Sequence, residues 1–406
     1  MRPASREQKH RGVTAAWMGD APPNEVLDDT RLYVEELKLT DFRNYERAAL
    51  ILDARPVVLV GNNGAGKTNL IEAVSLLGPT HGLRGRPYGE LARKGGPGGW
   101  AVAARVMSIE GEVEIGTGFG LETAPEGTAR IVRIAGKQQS AGALGDYLQV
   151  VWVIPEMDGL FTGPASERRR FLDRLMLAID PKMRGPRGRF ERAMRQRNRL
   201  FQLREGSPSH FAGLEEQMAE AGVAIAATRL DAVGRLASLI EQTREERGPS
   251  PFPWAALKLE GTLEEALQNR PAVEVEDDYV SLLSETRERD RAAGRALTGP
   301  HLSDLTVSHG PHAAPAEACS SGEQKALLLG LVLAKASLIR ALVDASPLIL
   351  LDEVAAHLDE VRREALFGEI LRLQAQAWMT GTDRSIFASL ASQAQILAVN
   401  QGTIRA

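Results

Sequence analysis

The sequence predicts an α/β fold of mixed and parallel sheets, interrupted by an inserted helical arm. Three observations predict it. The apolar run Val57-Val58-Leu59-Val60 leads directly into Gly61-Asn62-Asn63-Gly64-Ala65-Gly66-Lys67-Thr68, and Leu70, Ile71, Val74 and Leu77 then recur at helical spacing. That is the strand, glycine loop and helix order of a parallel α/β unit. Far downstream, the apolar run Leu348-Ile349-Leu350-Leu351 ends in the carboxylates Asp352 and Glu353. Between the two, residues 164–247 read as successive helices, so the α/β part is assembled from both chain ends.

Each element follows from local pattern. Residues 32–39 and 48–52 read as strands, with Asp41-Phe42-Arg43-Asn44-Tyr45 as the turn. Residues 78–99, rich in Gly, Pro and Arg, read as loop; 100–107, 112–119 and 131–134 read as antiparallel strands. A change of composition follows Ile154-Pro155. Residues 164–179, 187–204 and 210–247 read as helices, the last two separated by Pro208 and forming a helical hairpin. An acidic connector, 260–278, precedes a helix over 279–291. The α/β character then returns with helices over 322–342 and 360–373 and strands at 348–351, 375–380 and 396–399. The expected organisation is a disordered tail over 1–30, a first lobe from 31–160 and 296–406, and a helical second lobe over 161–295.

Composition bounds the rest. The 406 residues have room for two or three domains, and 43% hydrophobic content suits a globular chain. The most apolar stretch, 326–334, stops at Lys335 and is too short for a bilayer, so no membrane role is expected. One cysteine, Cys319, precludes an internal disulfide and a cysteine-based zinc site, and fits a reducing cytoplasm. The first 30 residues carry basic groups without a signal-peptide core, and Met18 offers an alternative start. A net charge of −4 gives no whole-chain attraction to nucleic acid, yet residues 168–199 are dense in arginine.

The chemistry lies in the two motif halves. In a loop of the form Gly61 to Thr68, glycines let backbone N–H groups turn inward around phosphate oxygens. Lys67 reaches the β/γ-phosphates, and Thr68 holds Mg²⁺. Asp352, at a strand end, belongs beside the same Mg²⁺; Glu353 next to it suits orienting or polarising a water that attacks the γ-phosphate. The expected cofactors are therefore ATP and Mg²⁺.

Ser320-Ser321-Gly322-Glu323-Gln324 heads the most apolar helix and resembles the ABC-ATPase signature. In that family a serine and glycine at a helix start face the γ-phosphate held by the opposite subunit, which implies the role for Ser321, Gly322 and Gln324. Ala355-Ala356-His357-Leu358-Asp359 lies where ABC proteins carry the D-loop, with Asp359 the matching residue. Thr382 occupies the switch position, a histidine in many transporters; its absence here suggests slow turnover.

A closer resemblance is carried by Leu39-Thr40-Asp41-Phe42-Arg43-Asn44-Tyr45, by the loop extended through Asn69-Leu70-Ile71-Glu72-Ala73, by Ile154-Pro155-Glu156, by Arg168-Arg169-Arg170-Phe171-Leu172-Asp173 and by Gly299-Pro300-His301-Leu302-Ser303-Asp304-Leu305. In this order they resemble the RecF family of bacterial recombination and gap-repair ATPases. Ala65, Leu302 and Glu353 depart from common family residues. The resemblance implies an ABC-type ATPase head like that of SMC proteins with a shortened arm. It also implies an ATP-dependent homodimer, binding to DNA at single-strand/double-strand gap junctions, weak DNA-stimulated ATPase activity that times release, RecR and RecO as partners, and service to recombinase loading and the SOS response. His301 reads as a structural hydrogen-bonding residue, and the Arg168 triplet as a structural or interlobe ion pair.

For DNA phosphates, the candidates are Arg187, Arg189, Arg192, Arg195 and Arg199, with Arg184 and Arg197 in the same segment. The alternatives are an SMC-like or transporter-type ABC ATPase of another process. A transporter subunit predicts a switch histidine, and a motor or nuclease predicts helicase motifs or a metal-binding His/Asp cluster; none of these was found in the sequence.

Overall fold

The computed structural model describes residues 31–120 and 130–405. The tail expected over 1–30 lies outside the described residues. Three sheets and nine α-helices make up the described fold.

The first sheet is antiparallel. β1 (Tyr33–Phe42), β2 (Tyr45–Ile51), β4 (Trp100–Ser108), β5 (Gly111–Phe119), β6 (Ile131–Ile134) and β7 (Lys137–Gln139) pair in the order β2-β1-β4-β5-β6-β7. Alternation drives it: in β4, Trp100, Val102, Ala104 and Val106 are buried. The expected five-residue turn between β1 and β2 is tighter, because β1 continues through Asp41 and Phe42. Arg43, with φ of 55°, turns the chain.

The second sheet joins the two ends of the chain. β3 (Val57–Val60), β8 (Val150–Val153), β12 (Leu348–Leu351), β13 (Ala377–Gly381) and β14 (Gln395–Asn400) are mutually parallel, and β15 (Thr403–Arg405) adds antiparallel, in the order β15-β14-β3-β13-β12-β8. β3, β8 and β12 are continuous apolar runs, as burial on both faces requires. One face packs on α1 (Lys67–Ser75) and the first sheet. The other packs on α8 (Ser321–Val343) and α9 (Glu360–Leu373).

Helix α8 is 23 residues long and apolar enough, by length and composition, to cross a bilayer, so the length argument drawn from 326–334 does not hold. Its apolarity has a different cause. The helix packs against α2 (Ala165–Ile179), α4 (Pro208–Arg247) and β8, and its apolar residues from Leu327 to Ile339 join the core on that face of the sheet.

The helical part departs from expectation in three places. The last helix begins not at His210 but at Pro208, the first residue of a 40-residue α4, capped by Ser207, whose Oγ accepts the His210 N–H. This helix lies along α3 (Arg184–Leu203) as a hairpin. The acidic stretch 260–278 is no connector: it contains α5 (Thr262–Leu267) and the first half of α6 (Ala272–Glu285). The helix expected over 279–291 is broken at Thr286, where α7 (Arg287–Ala293) begins.

A third sheet, unforeseen in the sequence, pairs β9 (Ala255–Glu260), β10 (Asp304–His309) and β11 (Ala314–Pro315) in the order β11-β10-β9. Arg168 joins it to α2 through two 2.7 Å hydrogen bonds to Asp304, which accounts for the arginine triplet as an ion-pairing element. Arg229, buried on α4, donates to Asp173 and to the Pro300 carbonyl at 2.5 Å.

Candidate nucleotide site

The loop from Gly61 to Gly66 leaves the end of β3 and enters α1 at Lys67. Among the described residues no side chain caps α1, so its first N–H groups stay available to an anion. Gly66 has φ of 116°, and a Cβ there would meet Asn44 Nδ2 at 2.5 Å and the Tyr45 hydroxyl at 2.6 Å. At Gly61 a Cβ would lie 2.2 Å from the Val399 carbonyl oxygen. Glycine is required at both positions for reasons of space.

The turn between β1 and β2 braces this loop. Asn44 Nδ2 donates to the Ala65 carbonyl at 3.3 Å, the Tyr45 hydroxyl donates to the Gly66 carbonyl at 3.1 Å, and Asn69 Nδ2 donates to Asn44 Oδ1 at 2.7 Å. Arg43 clasps buried Glu72 of α1 at 2.7 and 2.9 Å. Asn44 and Tyr45 were legible as a turn and a family block, but their loop-bracing role was not.

Three side chains meet across the parallel sheet. Thr68 Oγ1 donates to Asp352 Oδ1 at 3.0 Å, Thr380 Oγ1 donates to the same oxygen at 2.8 Å, and the Glu353 N–H donates to Thr380 Oγ1 at 2.8 Å. Thr380 is a site residue the sequence reading missed. Its signal was only its place at the end of β13, beside the end of β12. Burial pushes the Asp352 carboxyl above its ordinary range, against the two threonine hydrogen bonds. Glu353 has φ of 57°, a strained conformation for a non-glycine residue, at the point where it leaves the strand.

Lys67 Nζ donates to the Gly61 carbonyl at 2.6 Å and the Asn62 carbonyl at 3.0 Å. Its ammonium is therefore folded over the loop, and burial lowers its pKa while Glu353 and Asp352 oppose the shift. Gly61, Asn62, Asn63, Gly64, Ala65, Gly66, Lys67 and Thr68 thus form one segment beside Asp352 and Glu353. The set offers a lysine and helix N–H groups for phosphate, and a hydroxyl with a carboxylate, the oxygen donors that Mg²⁺ prefers.

The signature residues stand at another helix tip. Ser320 caps α8 in a reciprocal box with Glu323, Ser321 and Gly322 are exposed, and Gln324 Nε2 donates to the Cys319 carbonyl at 2.9 Å. Asp359 caps α9 by accepting the Arg362 N–H at 2.9 Å, and Thr382 is exposed just past β13.

The arginines divide sharply. Arg197 is fully buried, bound to Glu215 at 3.0 Å, Asp290 at 2.7 Å and the Leu283 carbonyl, so it is a core residue and not a DNA contact. Arg184 is half-buried beneath Gly142 and Gly145. Arg187 pairs with Asp173 and Glu191, and Arg189 with Glu220 at 3.0 Å. Arg195 lies 3.9 Å from Glu191; Arg192 and Arg199 are exposed and make no ion pair among the described residues. His301 packs on Phe190 with Nε2 3.1 Å from the Ala296 carbonyl oxygen, a structural role.

The profile of the RecF/RecN/SMC N terminal domain matches residues 33–405. The DNA replication and repair protein RecF of Rhizobium leguminosarum bv. trifolii is 54% identical over 375 residues, covering 92% of this chain and 99% of the relative. A solved structure of the recombination mediator protein RecF with ATP, from the RecFOR pathway, superposes with a TM-score of 0.79 at 20% identity, covering 94% of this chain and 99% of that one. An Smc head domain from Pyrococcus furiosus with an extended coiled coil, bound to the C-terminal domain of ScpA, gives 0.50 at 17% identity, covering 92% and 95%. The fold is thus that of an ABC-type ATPase head, and the chain belongs to the RecF family of DNA replication and repair proteins.

Proposed function

We propose that this protein is an ATP-gated DNA-binding switch of gap repair and replication restart. Two copies sandwich nucleotide between the loop of one and the α8 tip of the other, close on DNA near a single-strand gap, and open after slow hydrolysis. The observation that carries this reading is the 3.0 Å contact of Thr68 with Asp352, residues 284 positions apart. Folding has assembled a phosphate loop and an acidic strand end into one site.

Thr68 and Asp352 would hold Mg²⁺, and the ion would supply charge neutralisation at the phosphates. Lys67 would leave the Gly61 and Asn62 carbonyls for phosphate oxygens, which are stronger acceptors. Glu353 would orient water, its backbone held by Thr380. Ser321 and Gly322, exposed at the start of α8, suit a contact in trans, while Asp359 and Thr382 would flank the closed interface. The RecR and RecO partners, recombinase loading, the SOS link and a cytoplasmic setting belong to the same reading through the family. So does the division into a two-part ATPase lobe and a helical arm over 161–295.

Sedimentation of the full chain with and without ATP tests the sandwich. The wild type should shift from monomer to dimer with ATP, and both Lys67→Ala and Ser321→Arg should stay monomeric. A Ser321→Arg protein that binds ATP and dimerises normally removes the trans contact.

A further inference from the structure

We propose that His309, His312 and Glu323 form a site for a divalent transition metal of the zinc class at the tip of α8. One donor atom from each lies within 4.8 Å of the other two. His309 ends β10 and is 4% exposed, and its Nδ1 is buried without a hydrogen-bond partner among the described residues. A buried ring nitrogen with no acceptor or donor calls for an explanation.

The neighbouring groups supply one. The His312 ring stacks on His309 with centroids 4.3 Å apart and 16° between planes. His312 Nε2 lies 3.4 Å from Glu323 Oε1. Donors about 2.0–2.1 Å from a tetrahedral zinc stand roughly 3.4 Å from each other, so this pair already has the required separation. His312 is exposed on a single turn, Gly310–His312, and metal binding requires its ring to turn out of the stack so that both imidazoles point at one ion.

Glu323 is divided between two tasks. Its Oε2 accepts the Ser320 N–H at 2.8 Å and the Ser320 hydroxyl at 2.7 Å, which leaves Oε1 for the metal with the helix cap intact. Two imidazoles, one carboxylate and an open fourth position suit Zn²⁺ or Co²⁺ rather than Mg²⁺. Such an ion staples the end of β10 to the helix tip that carries Ser321. Any effect on nucleotide-driven pairing would rest on the function proposed above; metal binding itself does not.

The test uses the untagged full chain, free of nucleotide and in excess Mg²⁺, titrated with Co²⁺ and followed by its visible d–d bands. One equivalent per chain should bind, Zn²⁺ should displace it, and His312→Ala and Glu323→Gln should each weaken binding at least tenfold with unchanged thermal melting. Cys319→Ser should bind as the wild type does, which separates the site from the nearby thiol. Absence of cobalt bands in the wild type overturns the proposal, and so does binding that survives both His312→Ala and Glu323→Gln. The second result would leave only a His312–Glu323 ion pair there.

Discussion

At the scale of single residues, the site trades stability for chemistry. Asp352 sits where the fold resists its charged form, since burial raises its pKa. A carboxyl whose folded pKa lies above its unfolded value costs stability at neutral pH, and the cost disappears as pH falls below the ordinary carboxylate range. Asp352→Asn should therefore raise the melting temperature of the nucleotide-free protein at pH 7, by ~2 °C or more. It should also abolish Mg²⁺-dependent ATP turnover. Differential scanning fluorimetry checks the first effect, and the stabilisation should shrink toward pH 4. Lys335 obeys the opposite ionisation. It is buried on α8 with its ammonium 5.2 Å from the Phe171 ring, and burial, reinforced by Arg174, holds its pKa well below the usual value. A lysine with a depressed folded pKa destabilises the native state at neutral pH, and the penalty fades as pH rises toward the unfolded pKa. Lys335→Met should raise the melting temperature at pH 7, with a smaller gain at pH 10.

At the scale of elements, what joins distant segments exists only in the folded chain, as strand pairing and ion pairs, and that explains what the sequence hid. The phosphate loop, α1 and the Asp352 strand were legible because each motif is local and carries its own period. The small third sheet was not, because 43 residues, 261–303, separate β9 from β10, which pair only in the folded state. The acidic stretch concealed α6 for another reason: Val275, Tyr279 and Leu283 recur at i, i+4 and i+8, but the charges on the opposite face dominate the local composition. Arg197 is the counterpart among the arginines, since nothing in a run of alternating arginines marks the one that faces inward. It ties α3 to α4 through Glu215 and to α7 through Asp290. Arg197→Ala leaves Asp290 buried without its main partner and should cost about 3 kcal/mol or more. The helical arm should then melt first, visible as a second transition in calorimetry. The blocks outside the phosphate motifs acquire structural reasons in the same way. Gly299 has φ of 133°, and a Cβ there would lie 2.1 Å from the Tyr279 hydroxyl, while the Pro300 carbonyl accepts from Arg229.

At the scale of the whole molecule, a net charge of −4 means that any hold on DNA must come from local cations unspent on internal pairs. The structure narrows the candidates on α3 accordingly. Arg187 and Arg189 are held by Asp173, Glu191 and Glu220, so reaching a phosphate would mean giving up those contacts. Arg192 and Arg199 are exposed without an ion pair among the described residues, seven residues apart and so on nearly the same face of the helix. Each phosphate contact on duplex DNA contributes about 0.9 to the slope of log affinity against log salt. Arg192→Glu with Arg199→Glu should lower DNA affinity by roughly tenfold or more at low salt and reduce that slope by nearly two, across sequences alike. Arg187→Ala should change both much less. Fluorescence anisotropy on a gapped duplex with ATP, over a salt series, distinguishes these outcomes. An unchanged slope in the double variant would take α3 out of the DNA interface.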